Sequence, residues 1–422
     1  MASSIDIEIV LNSYSPISKT SLIAIIENYL NEQNVKPNIV FSDFNTKLNG
    51  FESLVHSVII GEPTNVDPVR KNKTTYLDLK ALKINWYAYT LNEDGPTTQI
   101  ENDENGGEVT LATHLTLPSK ELFALWENLY YDNSIKEKLL KYANTIMEFS
   151  RKGVNVNIVS CTRVILLHGP PGTGKTSLCK AIAQKLTVTM GNEYKSGVLI
   201  EINSHSLFSK WFSESGKLVT NMFTRIREIC ENKDILVCVL MDEVESLAHA
   251  REHCISGNEP SDAVRVVNAM LTQIDQIKRF PNVLVLATSN ITEAIDFAFI
   301  DRADIKQYLG LPSINAIYKI YYSCLEELIK AKIIESELDI IDSAESVAFQ
   351  NNSLSTNENA VKLLKICEKS TDLSGRTLRK IPLLAQALFI NTKPSTLGDF
   401  LDAMEKAVET EHQERKNLNK RV

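Results

Sequence analysis

The sequence lacks the features that would place the chain in or across a membrane. No run of 18 or more apolar residues occurs among its 422 residues, and its start, MASSIDIEIV, lacks the basic residues and apolar stretch of a signal peptide. We therefore expect a protein of the cytosol or nucleus that has no membrane partner.

Paired cysteines and surplus positive charge are also missing. The seven cysteines are scattered and form no CxxC motif, which indicates reduced core residues rather than a disulfide framework. The formal net charge is -8, whereas broad binding to a phosphate backbone needs clustered surplus Lys and Arg. We expect protein partners and no direct contact with nucleic acid.

The N-terminal hundred residues have the pattern of a small α+β module. IDIEIV alternates apolar and polar residues, SLIAIIENYL carries a helical apolar face, and KINWYAYTL returns to strand composition. The next stretch is rich in Asn, Asp, Glu and Gly and poor in residues that could form a core. We assign residues 1–100 to an α+β domain and residues 91–114 to a flexible linker.

Four apolar runs in the middle of the chain predict strands buried on both faces of a parallel sheet. VILLH, VLIEIN, ILVCVLMD and VLVLATSN start at positions 164, 198, 235 and 283, with helical patterns between them. A helix before them, SIKEKLLKYANTIMEF, carries Ser134 and Glu137 at the spacing of a capping box. We assign residues 115–312 to an α/β domain and residues 313–422, where strand signals fade, to a small helical domain.

The first of these runs leads into a phosphate-binding loop. LLHGPPGTGKTSL contains the G-x-x-x-x-G-K-[ST] spacing between a predicted strand and a predicted helix. Glycines let backbone N–H groups wrap phosphates, the lysine reaches the β and γ phosphates, and the threonine hydroxyl can bind Mg²⁺. The predicted loop comprises Gly169, Pro170, Pro171, Gly172, Thr173, Gly174, Lys175, Thr176 and Ser177.

Polar side chains end the third and fourth runs. Asp242 and Glu243 come at the carboxyl end of a strand, where open α/β sheets bind ligands. Asp242 suits Mg²⁺ and Glu243 suits polarising an attacking water, so together with the phosphate loop they predict an ATPase. Asn290 ends the fourth run, and local sequence supports two interpretations of it equally: a residue that orients water or γ-phosphate, and a helix cap.

Two further segments allow more than one interpretation. HAREH, residues 249–253, fits the H-x-x-E-H pattern of inverted zinc proteases, but no third ligand is identifiable and an exposed polar loop is favoured. The second segment, NSHSLFSKWFSESGK, places Trp211 and Phe212 in a stretch composed like an exposed loop. These aromatics either pack into the core or grip a ligand.

In order and spacing, GPPGTGKT, MDEVESL and TSN resemble the AAA+ ATPases. AFIDRADIKQYLGLPS and LSGRTLRKIP make the chain similar to the pachytene checkpoint protein 2 family, from about residue 115 to the end. The resemblance implies an AAA+ P-loop NTPase with a parallel five-stranded sheet, a C-terminal helical small domain and an N-terminal α+β substrate-recognition domain.

The family pattern also implies roles for single residues. Lys175 and Thr176 bind the phosphates of ATP and Mg²⁺, Asp242 helps to hold the metal, Glu243 activates water and Asn290 is the sensor-1 residue.

Two arginines and the aromatic segment complete the implied site. Arg302 matches the arginine finger that reaches a neighbouring subunit's site; the alternative from sequence is a salt bridge to Asp301 or Asp304. Arg376 matches sensor 2. Lys210, Trp211 and Phe212 match the loop that lines a hexamer's central pore, where aromatics can grip an extended polypeptide without reading its sequence.

The implied activity is ATP-driven remodelling of HORMA-domain proteins. By resemblance, a homohexamer engages its substrate through a HORMA-fold adaptor bound by the N-terminal module and converts it from a closed to an open state. That activity would act on spindle-checkpoint complexes and meiotic chromosome-axis proteins, in nucleus and cytoplasm. The alternatives are a nucleic-acid-directed AAA+ motor, disfavoured by the net acidity, and an ATP-binding scaffold, disfavoured by Glu243, Asn290 and Arg302.

Overall fold

Three sheets organise the part of the chain that the structure describes. The structure is a computed structural model, and it describes residues 3–12, 18–33, 35–42, 54–64, 76–102, 108–132, 134–155, 158–203, 215–246, 262–291, 295, 297–335, 358–390 and 394–419. The chain divides into two compact units. The first comprises Met1–Glu127, Glu137–Leu167 and Thr176–Gln307, and the second comprises Asn128–Lys136, His168–Lys175 and Tyr308–Val422.

The N-terminal sheet, in the first unit, contains β1 (Ser4–Leu11), β2 (Ile39–Phe41), β3 (Val55–Ile60) and β4 (Lys83–Thr90) in the order β2-β3-β1-β4. Strand β1 runs antiparallel to β3 and parallel to β4. Its alternate residues Ile5, Ile7 and Ile9 share a core with Leu22, Ile26 and Leu30 of helix α1 (Lys19–Asn31), and Ser18 caps that helix. The α+β character predicted for this segment is therefore present.

The central sheet of the described residues has seven strands, in the order β11-β7-β10-β9-β8-β6-β5. All four predicted apolar runs form strands at its centre, and β9 pairs in parallel with both β8 and β10. The strands are β5 (Thr97–Asn102), β6 (Glu108–Leu117), β7 (Val164–His168), β8 (Ser196–Asn203), β9 (Ile235–Asp242), β10 (Val283–Ser289) and β11 (Ile305–Tyr308).

The sheet differs from the predicted parallel five-stranded sheet at one edge. Strands β5 and β6 pair antiparallel, and β6 pairs antiparallel with β8 from Ala112↔Ile202 to Leu117↔Gly197. Strand β5 lies within the stretch 91–114 and β6 begins in it, so the prediction of a flexible linker there is wrong for the residues that form strands. Ala112, Leu115 and Leu117 of β6 are buried, and the linker assignment overlooked these apolar residues because it followed the polar composition of the residues before them.

Helices accompany the sheet in the first unit. They are α2 (Ile135–Arg151), α3 (Lys175–Thr189), α4 (Ser215–Glu231), α5 (Asp262–Ile277) and α6 (Phe297–Arg302). Val267, Met270 and Ile274 of α5 lie in the core as the helical spacing predicts. The capping box is not seen in the expected form, because Ser134 has a φ of 52° whereas a capping residue is normally extended.

The second unit is mainly helical, as predicted for the end of the chain. It contains α7 (Ile314–Lys330), α8 (Glu358–Lys369), α9 (Gly375–Leu378), α10 (Ile381–Phe389) and α11 (Leu397–Asn419), together with a two-stranded sheet of β12 (Ile334–Glu335) and β13 (Ser395–Thr396). Its core gathers residues from all five helices, among them the fully buried Tyr321 and Phe400.

Two features of the sequence have structural counterparts. The six cysteines that the structure describes are all unpaired, and Cys179, Cys230, Cys238 and Cys367 are buried. Among the described helices, none is long and apolar enough to cross a bilayer.

Candidate nucleotide site

A hydrogen-bonded cluster surrounds Asp242 at the carboxyl end of β9. Asp242 Oδ1 accepts a hydrogen bond of 2.9 Å from Oγ1 of Thr176, the second residue of α3. The same oxygen accepts a second hydrogen bond from Thr288 Oγ1, near the end of β10. Burial raises the pKa of the neighbouring Cys179 thiol, and the Asp242 charge raises it further, so this thiol stays protonated. Hydroxyl and carboxylate oxygens therefore lie together at the edge where parallel sheets bind ligands.

Glu243 leaves the strand through an uncommon backbone conformation. Its φ of 57° is in the left-handed region, which non-glycine residues occupy mainly where surrounding contacts hold them. Here its N–H donates to Thr288 Oγ1 at 3.2 Å, and the N–H of Val244 donates to the Thr288 carbonyl oxygen at 2.9 Å. The turn leaves the Glu243 side chain exposed beside the strand end.

Asn290 contacts this exposed carboxylate directly. Its Nδ2 donates to Glu243 Oε1 at 3.2 Å, while its backbone N–H donates to Glu245 Oε1 at 3.0 Å. A capping role for Asn290 would involve the N–H groups of residues 292 and 293, which lie outside the described residues, so this interpretation stays a prediction. The observed contact of the Asn290 amide is with the residue predicted to activate water.

The predicted phosphate loop lies in the second unit as far as Lys175, and this lysine is buried. Lys175 Nζ donates to the carbonyl oxygens of Gly169 at 2.8 Å and Pro170 at 2.7 Å. Thr173 Oγ1 donates to the Pro170 oxygen at 3.0 Å, which tightens the same turn. Partial burial lowers the pKa of His168, just before the loop, and the Lys175 charge lowers it further, so this imidazole is neutral near pH 7.

Two glycines of the loop are required by close backbone approaches. Gly169 has a φ of 140°, and a Cβ there would lie 2.2 Å from the carbonyl oxygen of Leu309. Gly174 has a φ of 88°, and a Cβ there would lie 2.6 Å from the Tyr131 hydroxyl. Any side chain at either position would displace the loop from its neighbours.

Residues from distant parts of the sequence hold the loop within this unit. Tyr131 Oη donates to the carbonyl oxygens of Thr173 and Gly174, at 3.1 Å each. The N–H of Arg376 donates to the Gly172 carbonyl oxygen at 3.1 Å, which places the start of α9 against the loop, and the Arg376 side chain is exposed. The backbone of Arg376, the residue predicted as sensor 2, therefore lies beside the phosphate loop.

Arg302 is paired within the chain, although not with either predicted carboxylate. Its Nε and Nη2 both reach Asp275 on α5, with Nη2 to Oδ2 at 2.9 Å, and its Nη1 donates to the Ala298 carbonyl oxygen at 2.6 Å. Partial burial opposes ionisation of Asp275, but hydrogen bonds from Arg302 and Lys278 outweigh it and lower its pKa. Asp304, one of the expected partners, instead accepts backbone N–H groups at the start of β7.

Two predicted segments lie outside the described residues. The aromatic segment with Lys210, Trp211 and Phe212 falls within residues 204–214, and the H-x-x-E-H segment falls within residues 247–261.

Sequence reasoning missed several contacts of the site. It assigned no role to Thr288, Glu245, Tyr131 or Asp275. Of these, Thr288 bonds both Asp242 and the Glu243 backbone. Thr288 had a usable signal, since it stands in the polar group that ends the fourth apolar run. The other three carry no local pattern, because their partners are distant in the sequence.

The parallel strands, the glycine-rich loop and the acidic strand end define a P-loop ATPase of the AAA class, and comparison with known proteins agrees. The family described as "ATPase family associated with various cellular activities (AAA)" matches residues 165–311. A second family, "TRIP13-like, AAA+ ATPase lid C-terminal domain", matches residues 313–412.

Relatives and solved structures identify the family within that class. The Canis lupus familiaris pachytene checkpoint protein 2 homolog is 48% identical over 421 residues, covering 99% of this chain and 95% of the relative. The Homo sapiens homolog is 50% identical over 384 residues, covering 90% and 88%. The structure of C. elegans PCH-2 matches with a TM-score of 0.77 and 34% identity over 97% of this chain and 99% of that one. The chain belongs to the pachytene checkpoint protein 2 family and is an ATPase.

A more distant structure shares the fold alone. The E. coli HORMA:CdnC:Trip13 complex contains a chain with a TM-score of 0.52 and 18% identity, covering 69% of this chain and 94% of that one.

Proposed function

We propose that this ATPase remodels HORMA-domain proteins, using ATP hydrolysis at the site built around Asp242. The carrying observation is that Thr288 connects two hydrogen-bonded pairs at the carboxyl edge of the sheet. Its hydroxyl bonds both Asp242, the partner of Thr176, and the backbone N–H of Glu243, the partner of Asn290. In this proposal Glu243 polarises the attacking water and the Asn290 amide orients that carboxylate. Resemblance to the family assigns Lys175 and Arg376 to the phosphates of the nucleotide.

The oxygen donors fit Mg²⁺. Thr176 Oγ1 and Asp242 Oδ1 are hard ligands, and Mg²⁺ characteristically takes only one or two protein oxygens beside substrate phosphates and water. When bound, the ion would neutralise charge on the phosphates, and Thr176 and Asp242 are the residues that would hold it.

The substrate class is inferred from the family. A chain with this fold was solved in a complex with a HORMA protein, and membership of the pachytene checkpoint protein 2 family supports the same class of partner here. We assign substrate or adaptor recognition to the N-terminal α+β domain, residues 1–100. The grip on the substrate is assigned to Lys210, Trp211 and Phe212, and the place of action to chromosomes and kinetochores in nucleus and cytoplasm.

A homohexamer completes the proposal. Arg302 ends α6 and in this proposal acts in the neighbouring subunit's site, where an arginine stabilises charge developing on the γ-phosphoryl group. In the isolated chain the same arginine is paired with Asp275, so ring assembly involves exchange of that partner.

Turnover of ATP by the purified protein, with and without a HORMA-domain substrate and a HORMA-fold adaptor, tests this function. We expect substrate to stimulate the wild type, Trp211→Ala to lose the stimulation while keeping basal turnover, and Glu243→Gln to bind ATP but scarcely hydrolyse it. Stimulation by single-stranded or duplex DNA instead of the HORMA protein would support a nucleic-acid motor. Near-normal hydrolysis by Glu243→Gln would refute the assigned chemistry.

A further inference from the structure

Glu245 is a buried carboxylate that the roles assigned above do not use. It lies two residues after Glu243, where the chain becomes helical beyond the end of β9, and is 8% exposed. Its Oε1 accepts the backbone N–H of Asn290, whereas its Oε2 is buried without a hydrogen-bond partner in the described part of the chain. Because removing a carboxylate from water is costly, buried carboxylates are rare and their oxygens are normally bonded. A contribution to stability therefore explains this residue poorly.

The position of Glu245 suggests a reason for keeping it. Asn290 is held at two points: its backbone N–H donates to Glu245 Oε1 at 3.0 Å, and its side-chain Nδ2 donates to Glu243 Oε1 at 3.2 Å. The backbone contact sets where the Asn290 Cα lies and so sets the direction in which its amide points. Because β10 has ended at Ser289, no ladder hydrogen bond of that strand fixes Asn290.

We propose that Glu245 is a positioning residue for ATP hydrolysis. Its carboxylate holds the Asn290 backbone so that the Asn290 amide keeps the Glu243 carboxylate aimed at the attacking water. Glu245 acts through Asn290 and does not touch the nucleotide. The inference rests on the proposed roles of Glu243 and Asn290 and adds a residue to them.

Substitutions at Glu245 separate positioning from binding. Glu245→Leu fills similar space without an acceptor, and we expect kcat to fall about tenfold or more, because small displacements of catalytic groups cost one to two orders of magnitude in rate. The dissociation constant of ATP, measured with a fluorescent analogue, stays within about twofold of wild type. Glu245→Gln keeps an acceptor oxygen and recovers most of the lost turnover.

The matched control removes a partly buried carboxylate that lies elsewhere in the first unit. Glu201 on β8 pairs with Lys180 at 2.7 Å and does not contact Asn290. We expect Glu201→Leu to lower the melting temperature while kcat stays near wild type. If Glu245→Leu does not fold, Glu245→Asp, which withdraws the acceptor by one methylene, takes its place with the same expected direction.

A double-mutant cycle with Asn290→Ala gives the decisive result. Without the Asn290 amide there is nothing for Glu245 to aim, so Glu245→Leu should lower kcat little further in that background. A purely structural Glu245 would lower kcat by the same factor in both backgrounds, and that result would overturn the proposal, as would wild-type turnover in Glu245→Leu. Failure of the underlying ATPase assignment is distinguishable, because it would appear as near-normal hydrolysis by Glu243→Gln.

Discussion

Lys185 Nζ lies 2.7 Å from Glu127 Oε1, and both side chains are buried. The same ammonium group pairs with Glu8 of β1, so one lysine on α3 joins two carboxylates from separate segments of the first unit. Helix α3 also carries Thr176 near its start, nine residues before Lys185. The N-terminal sheet is thereby connected to the helix that bears a predicted Mg²⁺ ligand.

Replacing Lys185 with Met should destabilise the first unit strongly. It would leave Glu8 and Glu127 buried without their cation, and breaking a buried ion pair from one side costs about 3–5 kcal/mol. Burial already raises the pKa of Glu8 against the attraction of Lys185, so protonation relieves part of this cost at acidic pH. Denaturant unfolding of wild type and Lys185→Met at pH 7 measures the effect.

Lys195→Met is the matched control for this lysine. Lys195 pairs with Asp234 at 2.6 Å, but its side chain is 82% exposed. Solvent screens an exposed pair of this kind, so we expect little change in the free energy of unfolding. Equal losses of unfolding free energy in Lys185→Met and Lys195→Met would contradict the importance assigned to the buried triad of Lys185, Glu8 and Glu127.

Tyr89, a neighbour of the triad, makes the free energy of unfolding depend on pH in the alkaline range. Its hydroxyl donates to Glu8 Oε2 at 2.8 Å, and burial, followed by the charge of Glu8, raises its pKa well above the usual value. The folded state therefore keeps a proton that the unfolded state loses above about pH 10, and the free energy of unfolding falls as pH rises. Lys185, whose pKa is also raised although burial opposes this, contributes in the same direction.

Tyr89→Phe isolates the contribution of the tyrosine. The variant also loses the hydrogen bond to Glu8, which lowers its free energy of unfolding at every pH. The comparison is therefore between the slopes of unfolding free energy against pH and not between the values themselves. Between about pH 10 and 11 we expect the wild-type slope to be steeper by up to about 1.4 kcal/mol per pH unit, the contribution of one proton. Parallel slopes would show that Tyr89 ionises equally easily in both states.

The elements predicted correctly are those with strong local patterns. Ile5, Ile7 and Ile9 alternate and face one core, and the four apolar runs form adjacent central strands. Strand β6 was missed although its sequence, EVTLATHLTL, alternates apolar and polar residues, because the linker assignment followed the polar residues before it. Its pairing with β8 is a tertiary interaction that composition does not encode.

The residues of the candidate site also divide into those that a local sequence pattern reveals and those that only the fold reveals. Asp242 and Glu243 are recognisable because a buried strand ends in two carboxylates, and the phosphate loop is recognisable by its glycine spacing. Tyr131 reaches the loop from more than 40 residues away, and Glu245 meets Asn290 across 45 residues. Contacts of that kind depend on the completed fold, so the chain shows no local sign of them.

The pairing of Arg302 with Asp275 leads to a test of the shared active site. Arg302→Ala should lower kcat by two orders of magnitude or more, since arginine fingers contribute about 10³–10⁵ in rate where they act fully. Glu243→Gln should be inactive for a different reason, because it keeps Arg302 but lacks the carboxylate that polarises water. Arg302→Ala thus retains the Glu243 carboxylate, and Glu243→Gln retains the Arg302 guanidinium.

Mixing the two variants distinguishes a finger that acts on a neighbour from one that acts within its own chain. If Arg302 serves the adjacent subunit, mixed rings contain sites with Glu243 from an Arg302→Ala subunit and Arg302 from a Glu243→Gln subunit, and part of the turnover returns. Asp275→Asn removes the competing partner within the chain, so it should reach half-maximal turnover at a lower protein concentration than wild type. No recovery on mixing, despite ring formation by both variants, would confine Arg302 to its salt bridge with Asp275.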